Sequence, residues 1–339
     1  MKTMVTVVMI TSDKSYDNVE WVWGYRENDR LGGKDPYSAS KACAEIISKS
    51  YMESFFKQGG PSIATTRAGN VIGGGDWALD RIVPDCTRAW SEKKPVVIRN
   101  PNSTRPWQHV LEPLSGYLAL GQKLFQGDAR VKNQAFNFGP QAQVNQSVSE
   151  LITAMTQFWS NAELNFQQET NSKKPESTLL KLNCDKALQI LGWEAILNFQ
   201  ETVRMTGEWY QKFYKHGPSS IQKITNEQII EYFEKAVSFA PGHGEAFNNL
   251  GLALKGAGRL AAAVTAFGRA IDADPASPAA HDNLGNARML MGDTDGAIAS
   301  FREALRLMPD YADARFNLAG VYLEQRDFAA AEADYRRVL

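Results

Sequence analysis

The sequence predicts an α/β portion built on a parallel sheet with a small lobe beside it, followed by an all-α array of paired helices. Three observations carry this reading. First, an apolar, β-branched run (Val5, Val7, Val8, Ile10) leads into the polar group Thr11-Ser12-Asp13-Lys14, which is how a buried strand ends at a sheet rim. Second, Tyr37-Ser38-Ala39-Ser40-Lys41 opens a segment whose apolar residues (Ala42, Ile46, Ile47, Tyr51) have helical spacing, so strand and helix present polar groups at one rim. Third, the composition breaks near residue 235. Residues 241–339 hold one lysine (Lys255) and nine arginines, whereas residues 1–240 hold 18 lysines and nine arginines.

In chain order, residues 15–34 read as a polar loop with Trp21, Trp23 and Tyr25 interleaved. Those aromatics either cover the sheet or wall a ligand pocket, and the sequence leaves both open. The helix carrying Tyr37 runs to about Phe56, where Gly59-Gly60-Pro61 stops it. Residues 62–67 form a core strand, residues 147–160 an amphipathic helix, and residues 201–214 another helix. We expect a first domain over residues 1–230 and a second over 231–339.

The second domain is read from a period of 34 residues. Phe247, Leu250, Gly251, Gly258, Ala263, Phe267, Ala270 and Pro275 recur as His281, Leu284, Gly285, Gly292, Ala297, Phe301, Ala304 and Pro309, and a third copy starts with Arg315, Leu318 and Ala319. Phe233, Ala236 and Pro241 stand 34 residues before Phe267, Ala270 and Pro275, so the helix before the array doubles as half of a first unit. This periodicity resembles the tetratricopeptide repeat, in which small residues recur where paired helices touch.

Composition excludes several classes. The net charge of −1 gives no electrostatic footprint for nucleic acid or an acidic membrane surface. Cys43, Cys86 and Cys184 are odd in number and far apart, so they read as reduced thiols rather than metal ligands or a disulfide framework. No apolar stretch approaches the ~18–20 residues of a membrane helix, and no signal-peptide pattern opens the chain. A cytoplasmic protein is expected.

Tyr37 and Lys41, four apart, share a helix face. There the lysine ammonium favours the phenolate form of the tyrosine and makes it a base for a sugar hydroxyl. The spacing alone occurs by chance on many exposed helices. Here it stands among Thr11-Ser12-Asp13-Lys14, Asp35-Pro36-Tyr37, Arg67-Ala68-Gly69-Asn70-Val71-Ile72-Gly73-Gly74-Gly75-Asp76-Trp77 and Arg105-Pro106-Trp107-Gln108-His109-Val110. In that order these motifs resemble the extended short-chain dehydrogenase/reductase family and, within it, the nucleotide-sugar 4,6-dehydratases.

The resemblance implies a partial Rossmann-like sheet lacking its first βα units, a small substrate-binding lobe, and NAD as cofactor. It implies Tyr37 as base toward the 4-hydroxyl, Lys41 as the residue that tunes Tyr37 and holds the nicotinamide ribose, Ser12 as the hydroxyl steadying O4, and Asp13 as acid for the departing 6-hydroxyl. Lys14 stands where many relatives place a glutamate as C5 base, and lysine is what the CDP-glucose members carry there. Asn70, Arg81, Arg105 and Asn137 are implied contacts of the nucleotide-sugar substrate, with Arg99 as a further guanidinium in the same lobe; His109 reads as structural. The glycines at 73–75 match a substrate-side loop and not a dinucleotide turn, so this chain is expected to be inactive alone and to expose an apolar sheet edge. The family's tendency to dimerise implies a homo-oligomer, and the repeats imply a peptide or protein partner. Two further readings are a repeat scaffold carrying a dehydratase remnant and a join of two partial genes.

Overall fold

A computed structural model describes residues 5–56, 59–98, 100–141, 143–160, 162, 164–166 and 179–338. Arg99 lies outside the described residues. The chain divides into two compact units, Met1–Ser219 and Ser220–Leu339. The boundary expected after residue 230 falls inside a helix of the second unit.

In the first unit the elements run β1 (Thr6–Ile10), α1 (Pro36–Phe55), β2 (Ser62–Ala68), β3 (Val71–Ile72), α2 (Ile82–Ser91), β4 (Val96–Ile98), β5 (Thr104–Arg105), β6 (Gln108–His109), α3 (Leu111–Phe125), β7 (Gln134–Phe138), β8 (Gln146–Ser147), α4 (Val148–Thr156), β9 (Leu164–Phe166), α5 (Asp185–Leu191) and α6 (Phe199–His216). The main sheet is parallel in the order β1-β2-β7, with Thr6 opposite Ser62 and Ala64 opposite Gln134. Strand β2 is buried through six of its seven residues, as expected of a parallel strand covered on both faces. Its core includes Ala64, Leu120, Leu124, Phe136 and Phe138.

The face that α1 buries is not the one its apolar residues mark. Ser38, Ala42, Glu45, Ser48 and Met52 are buried, while Ile46, Ile47, Tyr51 and Phe55 are each more than half exposed. A glutamate on the buried stripe is tolerable because its carboxylate is saturated with hydrogen bonds, described below. Tyr25 stacks on Tyr16 and Trp21 leans on Tyr25, whereas Trp23 is exposed.

The second unit is all-helical: α7 (Ile221–Phe239), α8 (Gly244–Gly256), α9 (Leu260–Ala273), α10 (Pro278–Leu290), α11 (Thr294–Leu307), α12 (Ala312–Glu324) and α13 (Phe328–Val338). Ile230 of α7 packs in one cluster with Leu250, Leu254, Phe267 and Leu284, so the helix before the array does supply half of a first unit. The repeated glycines have a steric reason. A Cβ on Gly251 would overlap the ring of Phe267, and one on Gly285 the ring of Phe301, which is the same contact one period later. Among the described residues no helix is long and apolar enough to cross a membrane.

Candidate active site

Strand β1 ends at Ile10, and the chain turns at once into a single 3₁₀ turn, Asp13–Ser15. Ser12 caps it by accepting the Lys14 amide at 3.2 Å, and its hydroxyl donates to Asp13 Oδ1 at 3.1 Å. Asp13 is 3% exposed. Burial raises its carboxyl above the ordinary carboxylate range, and the nearby charges of Lys14 and Arg105 only partly oppose this.

The carboxylate fits because its neighbour is glycine: a Cβ on Gly69, just past β2, would overlap the Asp13 carboxyl group. Asn70 follows with φ +53°, a left-handed conformation that asparagine tolerates better than most residues. Its Nδ2 stands 3.5 Å from Asp13 Oδ2.

Helix α1 brings the second group. Asp35 caps it by accepting the amides of Tyr37 and Ser38, each at 3.0 Å, with Pro36 in the first turn. The Ser38 hydroxyl, donating at 2.6 Å, holds the Asp35 carboxyl below its usual range. Lys41, one turn further along the helix, places its Nζ 5.7 Å from the centroid of the Tyr37 ring.

Ser12, Asp13, Lys14, Tyr37, Asn70 and Arg81 line one cleft of about 510 Å³ at the carboxyl ends of β1 and β2, where open parallel sheets bind their ligands. Arg81 reaches it from the start of α2, 3.8 Å from the Asp76 carboxylate. Asp76, Asp80, Trp107 and Tyr117 line the cleft too, and sequence reasoning missed them. Tyr117 enters from α3, and burial pushes its phenol up to about 12. Gln108, also missed, ties the ends of β2 and β7 together by donating to the Gly69 and Phe138 carbonyls, both at 3.0 Å.

Two expected substrate contacts lie elsewhere. Arg105 does not line the cleft; its Nη1 donates to the Thr104 carbonyl at 2.8 Å, and it acts on Asp13 through its charge. Asn137 is fully buried in β7: its Oδ1 accepts from Tyr16 at 2.8 Å, and its Nδ2 donates to the carbonyls of Tyr25 and Asn183 at 2.8 and 3.1 Å. Both amide hydrogens are used internally, so Asn137 is a structural residue rather than a ligand contact. His109 is structural as expected, its ring nearly fully buried and its imidazole pushed down to about 4 by that burial. Trp23 lines a different cavity of about 430 Å³, beside Cys184 and Trp193. The loop aromatics therefore do not wall the cleft of Asp13.

Tyr37 and Lys41 are the residues that the family resemblance implies for the nicotinamide ribose; both stand in the first two turns of α1. Among the described residues, however, no glycine-rich turn joins a strand of the main sheet to a helix N-terminus. Gly74 packs beneath the Trp209 indole and Gly73 against Val110, so the glycines at 73–75 serve packing and offer no pyrophosphate cradle.

Comparison with known proteins agrees with this architecture. Residues 230–278 and 288–338 match tetratricopeptide repeats. The CDP-glucose 4,6-dehydratase of Salmonella typhimurium is 44% identical over 214 residues, covering 62% of this chain and 59% of that protein. The human dTDP-D-glucose 4,6-dehydratase is 24% identical over 56% of this chain and 51% of its own length. The chain thus spans between half and three-fifths of these relatives. Among solved structures, the dTDP-glucose 4,6-dehydratase of Bacillus anthracis in complex with NAD superposes with a TM-score of 0.51 at 19% identity, over 62% of this chain and 63% of that one. An epimerase of Methanothermobacter thermautotrophicus gives 0.53 at 20%, over 62% and 60%. These two likenesses establish the fold. The family described as GDP-mannose 4,6 dehydratase matches residues 1–206, more than half of the sequence, and the chain belongs to that family.

Proposed function

We propose that the first unit is the catalytic and substrate-binding part of a nucleotide-sugar 4,6-dehydratase that converts CDP-glucose to CDP-4-dehydro-6-deoxyglucose. The observation that carries this is convergence: Ser12, Asp13 and Lys14 from the turn after β1 meet Tyr37 from α1 in one cleft. The preference for CDP is supported by the 44% identity to the Salmonella enzyme.

Tyr37, with Lys41 behind it, takes the proton of the sugar 4-hydroxyl, and the Ser12 hydroxyl steadies O4. Bound NAD would supply the hydride acceptor and donor that the redox changes at C4 and C6 require. The 4-ketone acidifies the C5 hydrogen, which Lys14 accepts as a proton. Asp13 gives its proton to the departing 6-hydroxyl, which leaves as water. Burial favours the protonated carboxyl that this step needs. Arg81, which lines the cleft, supplies a guanidinium suited to the diphosphate, since a planar fork bonds phosphate oxygens in pairs, and Asn70 meets the sugar beside Asp13. Tyr37 and Lys41 would hold the nicotinamide ribose.

The test is calorimetric titration of the purified chain with CDP-glucose, dTDP-glucose and NAD separately. Binding of CDP-glucose that Asp13→Asn retains and Arg81→Ala weakens supports the reading. Silence toward both nucleotide sugars overturns it.

For the second unit we propose peptide recognition. Asn283 donates to Asn248 at 3.0 Å, and 34 residues later Asn317 donates to Asp282 at 2.9 Å. These two bonds join the first helices of successive repeats (α8, α10 and α12) and support a continuous face for an extended chain. Screening the full chain on an array of extended peptides tests it, and absence of any saturable binder counts against it.

A further inference from the structure

Behind the cleft, Glu45 and Arg67 form a buried ion pair, both side chains 3% exposed and 2.9 Å apart. Apolar replacement of such a pair is often neutral for stability or better, because two ions must be desolvated. Its bonds, by contrast, are directional: besides those to Thr65 of β2 and the Glu27 carbonyl, they reach both flanks of the turn that carries Ser12, Asp13 and Lys14.

The Glu45 carboxylate accepts from Thr11 Oγ1 at 2.5 Å, Thr65 Oγ1 at 2.8 Å and Arg67 Nε and Nη2 at 2.9 and 3.1 Å. The Arg67 Nη1 donates to the Tyr16 hydroxyl at 2.7 Å, and its guanidinium lies 4.7 Å from the Tyr16 ring centroid. Tyr16 passes its own hydroxyl hydrogen to Asn137. Thr11 and Tyr16 are the residues immediately flanking Ser12–Ser15. Glu45 sits on α1 two turns beyond Tyr37 and one beyond Lys41.

We infer that Glu45 and Arg67 are positioning residues, clamping the Ser12-Asp13-Lys14 turn at both ends and fixing it against the helix that carries Tyr37. Asn137 belongs to this clamp. The catalytic meaning of the clamp rests on the dehydratase reading; its mechanical content does not.

The experiment is amide hydrogen exchange on the full chain with three variants. Thr11→Val deletes the hydroxyl at one end at nearly constant shape, Tyr16→Phe deletes it at the other, and Thr11→Ser keeps it. In Thr11→Val and Tyr16→Phe, exchange of the Lys14, Ser15 and Tyr16 amides should accelerate about tenfold while β2 changes less than about twofold, since local openings are independent of global unfolding. Thr11→Ser should match the parent. Unchanged exchange in the turn overturns the inference. So does an equal acceleration through β2, which would mean that the network only stabilises the sheet. CDP-glucose titration of the parent chain separates the two ideas: loss of binding there removes the dehydratase reading and leaves the exchange result standing.

Discussion

Gly69 and Asp13 are fitted to each other, because the space that any Cβ at position 69 would need is occupied by the Asp13 carboxyl group. Gly69→Ala must therefore push the carboxylate or the β2–β3 turn aside. Overpacking of this kind costs about 1–3 kcal/mol. We expect a lower urea midpoint and at least about a tenfold loss of CDP-glucose affinity, a factor worth ~1.4 kcal/mol. Retention of both would show that the turn yields without cost.

Asp13 itself should weaken the fold at neutral pH. Its carboxyl titrates above the unfolded value of 3.8 because of burial, so the folded state binds the proton more tightly than the unfolded chain. Stability is then greatest below pH 3.8 for this group and falls as pH rises through the raised folded value. Asp13→Asn removes the ionisable group. It should melt higher than the parent at pH 7, and the gap should shrink as pH falls toward 4. Glu45 has the opposite sign: bonds from Arg67, Thr11 and Thr65 outweigh its burial and hold its carboxyl below the usual range, so its contribution is present near neutrality and is lost on acidification.

How far the site was legible depended on what each residue's neighbours in sequence could reveal. The strand end at Thr11, the helix face at Tyr37 and Lys41, and the 34-residue period were all readable because local geometry fixes them. Asn137 was misread because β7 is buried at Phe136, Asn137 and Phe138 in succession. In a doubly covered strand, alternation no longer says which side chain meets solvent. Glu45 carries no motif that singles it out in the sequence. The available signal was Arg67, an arginine within the otherwise uncharged run Ile63-Ala64-Thr65-Thr66, which demands a buried partner. Tyr117, Asp76 and Asp80 reach the cleft from elements distant in sequence, and no spacing rule connects them to Asp13.

Asn137→Ala should act on stability and not on recognition. It takes the acceptor from the Tyr16 hydroxyl hydrogen and the Nδ2 donor from the Asn183 and Tyr25 carbonyls, although Arg67 still donates to the Tyr16 oxygen and the Asn183 amide to the Tyr25 carbonyl; a buried unsatisfied group costs about 1–3 kcal/mol. A loss of about 1–3 kcal/mol by urea unfolding is expected, with CDP-glucose affinity within about twofold of the parent for the fraction that remains folded. A selective loss of affinity at unchanged stability would return Asn137 to the substrate.

The repeat unit offers a paired control on steric grounds. Gly285 faces the Phe301 ring, which a Cβ would overlap, whereas Gly268, inside α9, has open space around the same position. Gly285→Ala should therefore destabilise by ~1–3 kcal/mol through overpacking. Gly268→Ala should stabilise by about 0.5–1 kcal/mol, because alanine loses less backbone entropy in a helix interior. The contrast is read from urea unfolding of the full chain, following the helical signal. If both substitutions move the midpoint in the same direction, the small residues of the period are not explained by ring packing, and helix propensity alone governs these positions.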